Sequence, residues 1–166
     1  MILTGFQLRA ARRALNLHLE QLYQNTGVSK ITLSRLENTI GNLEDISCSA
    51  KDAEILLNYF NQNKLIFPNK KTIVLDVDIE PKPVENNLIR FQFIVARTVL
   101  GLFQRELTIH LNLHPNTFYR FEKKGNTSYI VSRKKAISVL IDFFNTQGIN
   151  FPNNSSVSLK NNLTLI

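Results

Sequence analysis

The sequence predicts a mainly α protein with two tandem domains, each made of four to five helices followed by a short β-hairpin. The chain matches itself at an offset of 85 residues and then of 84, in one order, which indicates an internal duplication. Apolar residues recur at helical spacing through most of each copy. A chain of 166 residues that is 43% hydrophobic and 20% charged can bury a core of this kind.

The duplication sets the predicted domain boundaries. Identical residues recur at an offset of 85, and FNQNKLIFPNKKTIVL near the end of the first copy resembles FNTQGINFPNNSSVSL, 84 positions on. We expect domains at residues 1–76 and 88–166, called the first repeat and the second repeat below. Two prolines and four acidic residues in DVDIEPKPVENN predict an extended linker over 77–87. Repeats this small are expected to pack against each other.

The first two helices of each repeat have recognisable ends. Thr4 and Gln7 have the spacing of a capping box, and apolar residues at helical spacing predict a helix from about 5 to 15. The segment HLEQLYQN predicts a second helix. Gly27 ends it because glycine adopts a positive φ angle at little cost, and Asn112 takes the same place in the second repeat.

Two further helices and a hairpin complete each repeat. Ser29 is placed to cap a third helix, and Pro115 suits the first turn of its counterpart. Fourth helices are expected at about 49–62 and 132–146. Hairpins are then expected to turn at Pro68-Asn69 and Pro152-Asn153, with LTLI at the C-terminus as an edge strand. The two hairpins are expected to join into one small sheet that pairs the repeats.

The charge of the chain favours an anionic partner. The pI is about 9.7 and the net charge is +7, which is typical of proteins that bind nucleic acid or anionic surfaces. Residues 1–80 hold nine basic and nine acidic residues, whereas residues 81–166 hold eleven and four. The whole excess of positive charge therefore lies in the second half.

The segments VSKITLSRLEN and LHPNTFYRFEK hold the third helices, at residues 28–38 and 113–123. A short helix, a turn at Gly or Asn and a capped second helix together form a helix-turn-helix, whose second helix can lie in the major groove. The run LRAARRALNLHLEQLYQNTGVSKITLSRLEN resembles the Cro/repressor-type (Xre) helix-turn-helix family, and FIVARTVLGLFQRELTIHLNLHPNTFYRFEK resembles it more loosely. The resemblance covers nearly the whole chain outside the linker and implies two lambda-repressor-like domains.

This resemblance implies residues that contact DNA. Arg can donate to guanine, Asn can bond adenine, and Thr or Ile methyl groups can touch the thymine methyl. The residues expected to face the bases or their flanking backbone in the first repeat are Lys30, Ile31, Thr32, Ser34, Arg35 and Asn38. Those in the second repeat are Asn116, Thr117, Tyr119 and Arg120.

Phosphate contacts are expected mainly from the second repeat. Gln104 opens its second helix, where the family implies a glutamine that binds phosphate, but the first repeat has Leu19 there. Lys123 and Lys124 are expected to form a phosphate-binding ridge with Arg133, Lys134 and Lys135. The family further implies that Glu37 and Glu122 are internal and pair with Arg12 and Arg97.

The sequence gives little support for metal binding, cofactor binding or catalysis. Glu106, His110 and His114 are spaced by four, but the turn at Asn112 interrupts the helix that a metal site would need. We expect no metal site, no cofactor and no catalytic residue, and we expect Cys48 to be inert. No apolar run could span a bilayer, and no signal peptide is recognisable, so a cytoplasmic protein without a membrane partner is expected.

The sequence thus predicts a bacterial transcriptional regulator, for example a repressor, that binds double-stranded DNA in a sequence-specific way through both repeats. The alternative is an adaptor or antitoxin-like protein. In that case the first repeat would bind a protein partner or a second copy of the chain, and only the second repeat would bind DNA.

Overall fold

The computed structural model describes residues 3–38, 47–79, 87–112, 114–130 and 134–160. This part of the chain is mainly helical, as predicted, and contains one four-stranded antiparallel sheet. The helices are α1 (Gly5–Ala14), α2 (Leu19–Thr26), α3 (Lys30–Glu37), α4 (Ala50–Gln62), α5 (Arg90–Val99), α6 (Gln104–Leu111), α7 (Pro115–Glu122) and α8 (Lys134–Thr146). The strands are β1 (Leu65–Asn69), β2 (Thr72–Leu75), β3 (Ile149–Asn150) and β4 (Ser156–Leu159).

The element bounds follow the duplication. Helices α5, α6 and α7 begin and end 85 positions after α1, α2 and α3, whereas α8 and β4 follow α4 and β2 by 84. The segment 39–46, the linker residues 80–86, Leu113, the segment 131–133 and the C-terminal 161–166 lie outside the described residues. The expected C-terminal strand LTLI is in that last segment.

Local chemistry places the helix ends where the sequence predicts them. The backbone N–H of Thr4 donates to the Gln7 side chain at 3.0 Å, and the Ser29 hydroxyl accepts from the Thr32 N–H at 3.1 Å. Gly27 and Asn112 have φ angles of 74° and 48°, so both end their helices in the left-handed region. Helices α2 and α6 therefore end in the same way.

The sheet joins the two repeats around a local two-fold axis. Its strand order is β1-β2-β4-β3, and in the central pair Ile73 lies opposite Val157, with Thr72 opposite Ser158 and Val74 opposite Ser156. Exchanging each residue for its counterpart 84 positions away reproduces this register. The pairing of the hairpins in one sheet is thus confirmed.

The hairpin turns lie later than predicted. In the first repeat the turn is at Lys70 and Lys71, and Pro68 lies within β1. Pro68 is tolerated there because β1 is an edge strand, in which one side of the backbone needs no hydrogen-bond donor. Asn69 makes the turn by accepting the Lys71 N–H on its side chain at 2.8 Å.

The same correction applies to the second repeat, where β3 already ends at Asn150 and Pro152 follows it. The turn is at Asn154 and Ser155. The Asn153 side chain accepts the Ser155 N–H at 2.9 Å, as Asn69 does for Lys71. In both hairpins the asparagine precedes the turn because its side chain replaces a backbone acceptor.

Two equivalent glutamines attach the hairpins to the helices. The Gln7 side-chain amide donates to the carbonyls of Asn69 and Thr72 at 2.7 and 3.0 Å. Gln92, its counterpart in α5, donates to the carbonyls of Asn153 and Ser156 at 2.7 and 3.2 Å. Each amide thereby satisfies backbone carbonyls at the two ends of a hairpin turn.

Helices α1 and α5 pack against each other and merge the two halves into one core. Leu8, Ala11 and Phe93 are fully buried in it, together with Ile73 and Val157 from the sheet. The buried residues of both halves belong to one continuous cluster. The helix pair and the sheet hold the repeats in one arrangement.

Arg90 breaks this symmetry, because its counterpart in α1 is Gly5. The Arg90 side chain is 1% exposed and donates to the Ala14 carbonyl at 3.0 Å, to the Glu122 carbonyl at 2.8 Å and to the side chains of Asn16 and Asn126. Burial lowers the pKa of Arg90 from its usual value. One guanidinium thus connects the end of α1 to the end of α7.

Replacing Arg90 by Met should lower the free energy of unfolding by about 2–4 kcal/mol, because buried carbonyls lose a charged donor. Arg105→Met, at an exposed position, is the control and should change it by no more than about 0.5 kcal/mol. Urea unfolding followed by circular dichroism measures both. Equal losses in the two variants would contradict a locking role for Arg90.

Candidate nucleic-acid interface

Helix α3 exposes one face and buries the other. Leu33 and Leu36 are buried against the core, whereas Lys30, Arg35 and Asn38 are not, and Ile31 is 84% exposed. Apolar side chains at this spacing hold the helix in place and leave the intervening positions available for contacts. The face that the sequence predicts to meet DNA is therefore at the surface of the first repeat.

Three residues of this face, Thr32, Ser34 and Arg35, differ in the contacts that they make. The Thr32 hydroxyl lies 2.9 Å from the Ser29 hydroxyl, so it is engaged at the start of the helix. Ser34 and Arg35 line a shallow depression with Leu19 and Ile31. The side chains at this end of α3 form a surface that is more apolar than the sequence alone indicated.

Helix α7 repeats the arrangement with different side chains. Phe118 and Phe121 are buried, and Asn116, Tyr119 and Arg120 are exposed. The side chain of Thr117 lies outside the described part of the structure. The exposed face of α7 therefore offers an amide, a phenol and a guanidinium, which can all donate hydrogen bonds to a ligand.

The cations of the first repeat's exposed face are engaged within the protein. Lys30 forms an ion pair with Glu20 at 2.5 Å, and the hydrogen bond and charge of Glu20 raise the pKa of Lys30. Arg35 donates to the Ser47 carbonyl at 3.2 Å. A ligand of the first repeat must compete with these internal partners.

The second repeat leaves its cations more available. Among the described residues, no carboxylate forms an ion pair with Arg120, Lys123 or Lys124. The Lys123 ammonium lies 4.3 Å from the centre of the Tyr119 ring, a cation–π contact that leaves the charge unneutralised. Lys124 is exposed beside it.

Only part of the predicted basic ridge can be described. Arg133 and the side chains of Lys134 and Lys135 lie outside the described part of the structure. Lys123 and Lys124 stand at the end of α7, before the turn that begins at Gly125. Among the described side chains, the predicted ridge therefore consists of Lys123 and Lys124, and both are exposed.

An ion pair lies beneath each of α3 and α7, as the resemblance predicts, and it is buried in the first repeat and partly buried in the second. Arg12 forms two bonds of 2.6 Å with Glu37, and both side chains are buried. The Arg97 Nη2 atom lies 2.8 Å from Glu122, with side chains 16% and 20% exposed, and the Arg97 Nε atom has no hydrogen-bond partner. The pair in the second repeat is looser.

The starts of α2 and α6 differ in the way the sequence indicates. Gln104 is the first residue of α6 and is half-buried, and Leu19 holds this position in α2. Phe103 precedes α6 and is 71% exposed. The sequence prediction missed this exposure, although a phenylalanine at a capping position, which usually holds Ser, Thr, Asp or Asn, was a signal for it.

The histidines near α6 and α7 have separate structural roles. His114 Nδ1 accepts the Asn116 N–H at 3.2 Å and so caps α7. His110 stacks on Phe143 with ring centres 6.0 Å apart. Within the described ranges, no three side chains of His, Cys, Asp or Glu come together as a metal site would need.

Comparison of the chain with protein-family models, curated proteins and solved structures finds no match. None of the helices in the described ranges is both long enough and apolar enough to cross a bilayer.

The two ion pairs should differ in their contribution to stability. Glu37→Gln should lower the free energy of unfolding by about 2–4 kcal/mol, since it leaves Arg12 buried without an opposite charge. Glu122→Gln should cost about half as much, because that pair is more exposed and less closely bonded. Chemical denaturation of both variants tests this order, and equal costs would contradict it.

Proposed function

We propose that this protein is a transcriptional regulator that binds double-stranded DNA in a sequence-specific way, through two tandem helix-turn-helix units of the Cro/repressor type. The observation that carries the proposal is the repeated pair α2–α3 and α6–α7. Each pair has a left-handed residue at its turn and a second helix with one buried and one exposed face. This arrangement is typical of a helix that enters the major groove.

The local two-fold axis of the sheet suggests how one chain would address DNA. Two reading helices related by a two-fold axis are the arrangement that dimeric regulators use to contact half-sites about 34 Å apart. Here a single chain supplies both helices, and their exposed residues differ. The operator should therefore consist of two unlike half-sites.

The second repeat is expected to provide most of the affinity and the clearest base contacts. Arg120 can donate two bonds to guanine and Asn116 can bond adenine. Lys123 and Lys124 would contact phosphates, which adds affinity without sequence preference. This proposed role needs no cofactor and no catalytic group, and it places the protein in the cytoplasm with the DNA.

One observation favours the alternative of an adaptor or antitoxin-like protein. The first repeat carries an apolar groove of about 790 Å³ between α4 and β1, lined by residues that include Leu57, Phe67 and Pro68. Ile31 is exposed on α3 while Lys30 and Arg35 have internal partners. A protein segment or a second copy of the chain could use such a surface, with only the second repeat on DNA.

Selection of binding sites from a random pool of duplexes should recover an asymmetric sequence, and footprinting should protect two patches about one helical turn apart. Protection of one patch per chain would favour the adaptor. Recovery of no sequence above the background would contradict sequence-specific DNA binding by either route.

With the selected operator, Asn116→Ala combined with Arg120→Ala should weaken binding by roughly ten-fold or more and relax the preference at two base pairs. Lys30→Ala combined with Arg35→Ala should relax the other half-site to a smaller extent. Fluorescence anisotropy with matched and mismatched duplexes measures both effects. An unchanged affinity in the second double variant would favour the adaptor.

Lys123→Gln combined with Lys124→Gln should weaken binding to all duplexes by a similar factor. The slope of log affinity against log salt should become shallower by about 0.9 for each phosphate that the variant no longer neutralises. Lys64→Gln combined with Lys160→Gln removes the same charge away from α3 and α7 and is the control. If both double variants gave the same slope, the ridge would have no specific role.

A further inference from the structure

A cleft with four arginines lies where the two repeats meet. Its volume is about 420 Å³, and it is lined by Arg9 and Arg13 of α1, by Arg97 of α5, and by Gln104 and Arg105 at the start of α6. The first repeat contributes two of the four guanidinium groups and the second repeat contributes the others. The cleft therefore exists only because α1 packs against α5.

The positive charge of this cleft is poorly balanced by the protein. Among the described residues, no carboxylate forms an ion pair with Arg9, Arg13 or Arg105. Arg97 is paired with Glu122 through its Nη2 atom, and its buried Nε atom has no hydrogen-bond partner. Several unneutralised guanidinium groups around one space are a suitable environment for an anion.

The mutual effects of the arginines agree with their proximity. Partial burial lowers the pKa of Arg13, and the charges of Arg12, Arg9 and Arg97 lower it further, against an opposing effect of Glu37. Like charges brought together in this way repel each other in the free protein. Binding of an anion would relieve that repulsion.

The start of α6 adds a second source of attraction. The free N–H groups in the first turn of a helix carry partial positive charge, and anions bind there readily. In α6 the Glu106 carboxylate lies in this turn and accepts the N–H of the preceding Phe103 at 2.6 Å. Gln104, the first residue of α6, adds a side-chain amide that can donate to an oxygen atom. The guanidinium groups can bind a phosphate with two hydrogen bonds each.

The positions related to these by the two-fold axis have different chemistry, and one of them, Thr98, lines the same cleft. Ile94 and Thr98 correspond to Arg9 and Arg13, and both are buried. Leu19 and Glu20 correspond to Gln104 and Arg105. The start of α6 thus lies in a cleft with four arginines. The start of α2 has an apolar and an acidic residue in place of Gln104 and Arg105.

We propose that Arg9 and Arg13 of the first repeat extend, across the two-fold axis, the phosphate contact that the sequence predicts at Gln104, so that the cleft binds one backbone phosphate of DNA at the second half-site. The phosphate oxygens accept hydrogen bonds from these arginines, from Arg105 and from Gln104. This inference rests on the proposed function. It gives the first repeat a role in affinity that does not depend on α3, and it makes the grip on the two half-sites unequal.

The helix-turn-helix motifs do not reveal this cleft, because Arg9 and Arg13 lie outside the α6–α7 segment and belong to the other repeat. The signal in the sequence was the absence of basic residues at their counterparts, Ile94 and Thr98. Without the packing of α1 on α5, that difference could not be related to the start of α6.

The test uses Arg9→Gln combined with Arg13→Gln in the full chain, with Lys64→Gln combined with Lys160→Gln as the charge-matched control. The first measurement is the change in the backbone amide NMR signals of Gln104 and Arg105 on addition of inorganic phosphate, at constant ionic strength set with chloride. We expect saturable changes in the wild type and the control, and none in Arg9→Gln/Arg13→Gln.

The second measurement is affinity for the selected duplex as a function of salt. Arg9→Gln/Arg13→Gln should bind roughly ten-fold more weakly than the control, with a salt slope shallower by about 0.9. Circular dichroism spectra and unfolding midpoints check that the fold is intact. Because both arginines line the surface of the cleft, replacing them should leave the core unchanged.

The outcomes separate this inference from the proposed function. If the duplex binds the wild type and Arg9→Gln/Arg13→Gln equally well, and phosphate shifts neither Gln104 nor Arg105, the cleft proposal is overturned while DNA binding stands. If no duplex binds but phosphate shifts the two amides only when both arginines are present, DNA binding fails. The phosphate site then stands with a small phosphate compound as its ligand.

Discussion

The contact between α1 and α5 is the constraint on which the rest of the structure depends. A repeat of about 75 residues buries a smaller fraction of its surface than a larger domain does, so it gains stability by sharing a core with its twin. By packing their first helices together and pairing β2 with β4, the repeats bury Leu8, Phe93, Ile73 and Val157 in one shared core. The same contact sets the position of α3 relative to α7.

Two departures from the two-fold symmetry lie where α1 and α5 meet. Arg90 stands opposite Gly5 and joins the end of α1 to the end of α7, while Arg9 and Arg13 of α1 face the start of α6. Both differences tie the first repeat to the elements of the second repeat that are proposed to bind DNA. In the function that we propose, the first repeat is thus a support for its twin as well as a second reading unit.

Local rules predicted much of the fold and several residues beneath the site. The positive φ angles at Gly27 and Asn112 and the Ser29 cap follow from residue types at short spacings. The Arg12–Glu37 pair spans 25 positions, and it was expected only from the resemblance to the helix-turn-helix family. The hairpin turn was placed too early because Pro68 also suits an edge strand, and only the pairing of strands decides between these two positions. The sequence predicted that Lys30 and Arg35 lie at the surface. It did not predict the ion pair of Lys30 with Glu20 or the hydrogen bond that Arg35 donates to the Ser47 carbonyl.

The sequence by itself determined the duplication, because the two copies can be aligned directly. It also determined the helices and their ends, because these depend on backbone preferences and on side chains within about four positions of one another. Only the tertiary structure decided which groups meet across the two-fold axis. The Arg90 side chain bonds the carbonyl of Ala14, and Arg13 shares a cleft with Gln104, although each pair is far apart along the chain. Such contacts follow from the way that two small cores merge, and no pattern within one repeat records that geometry.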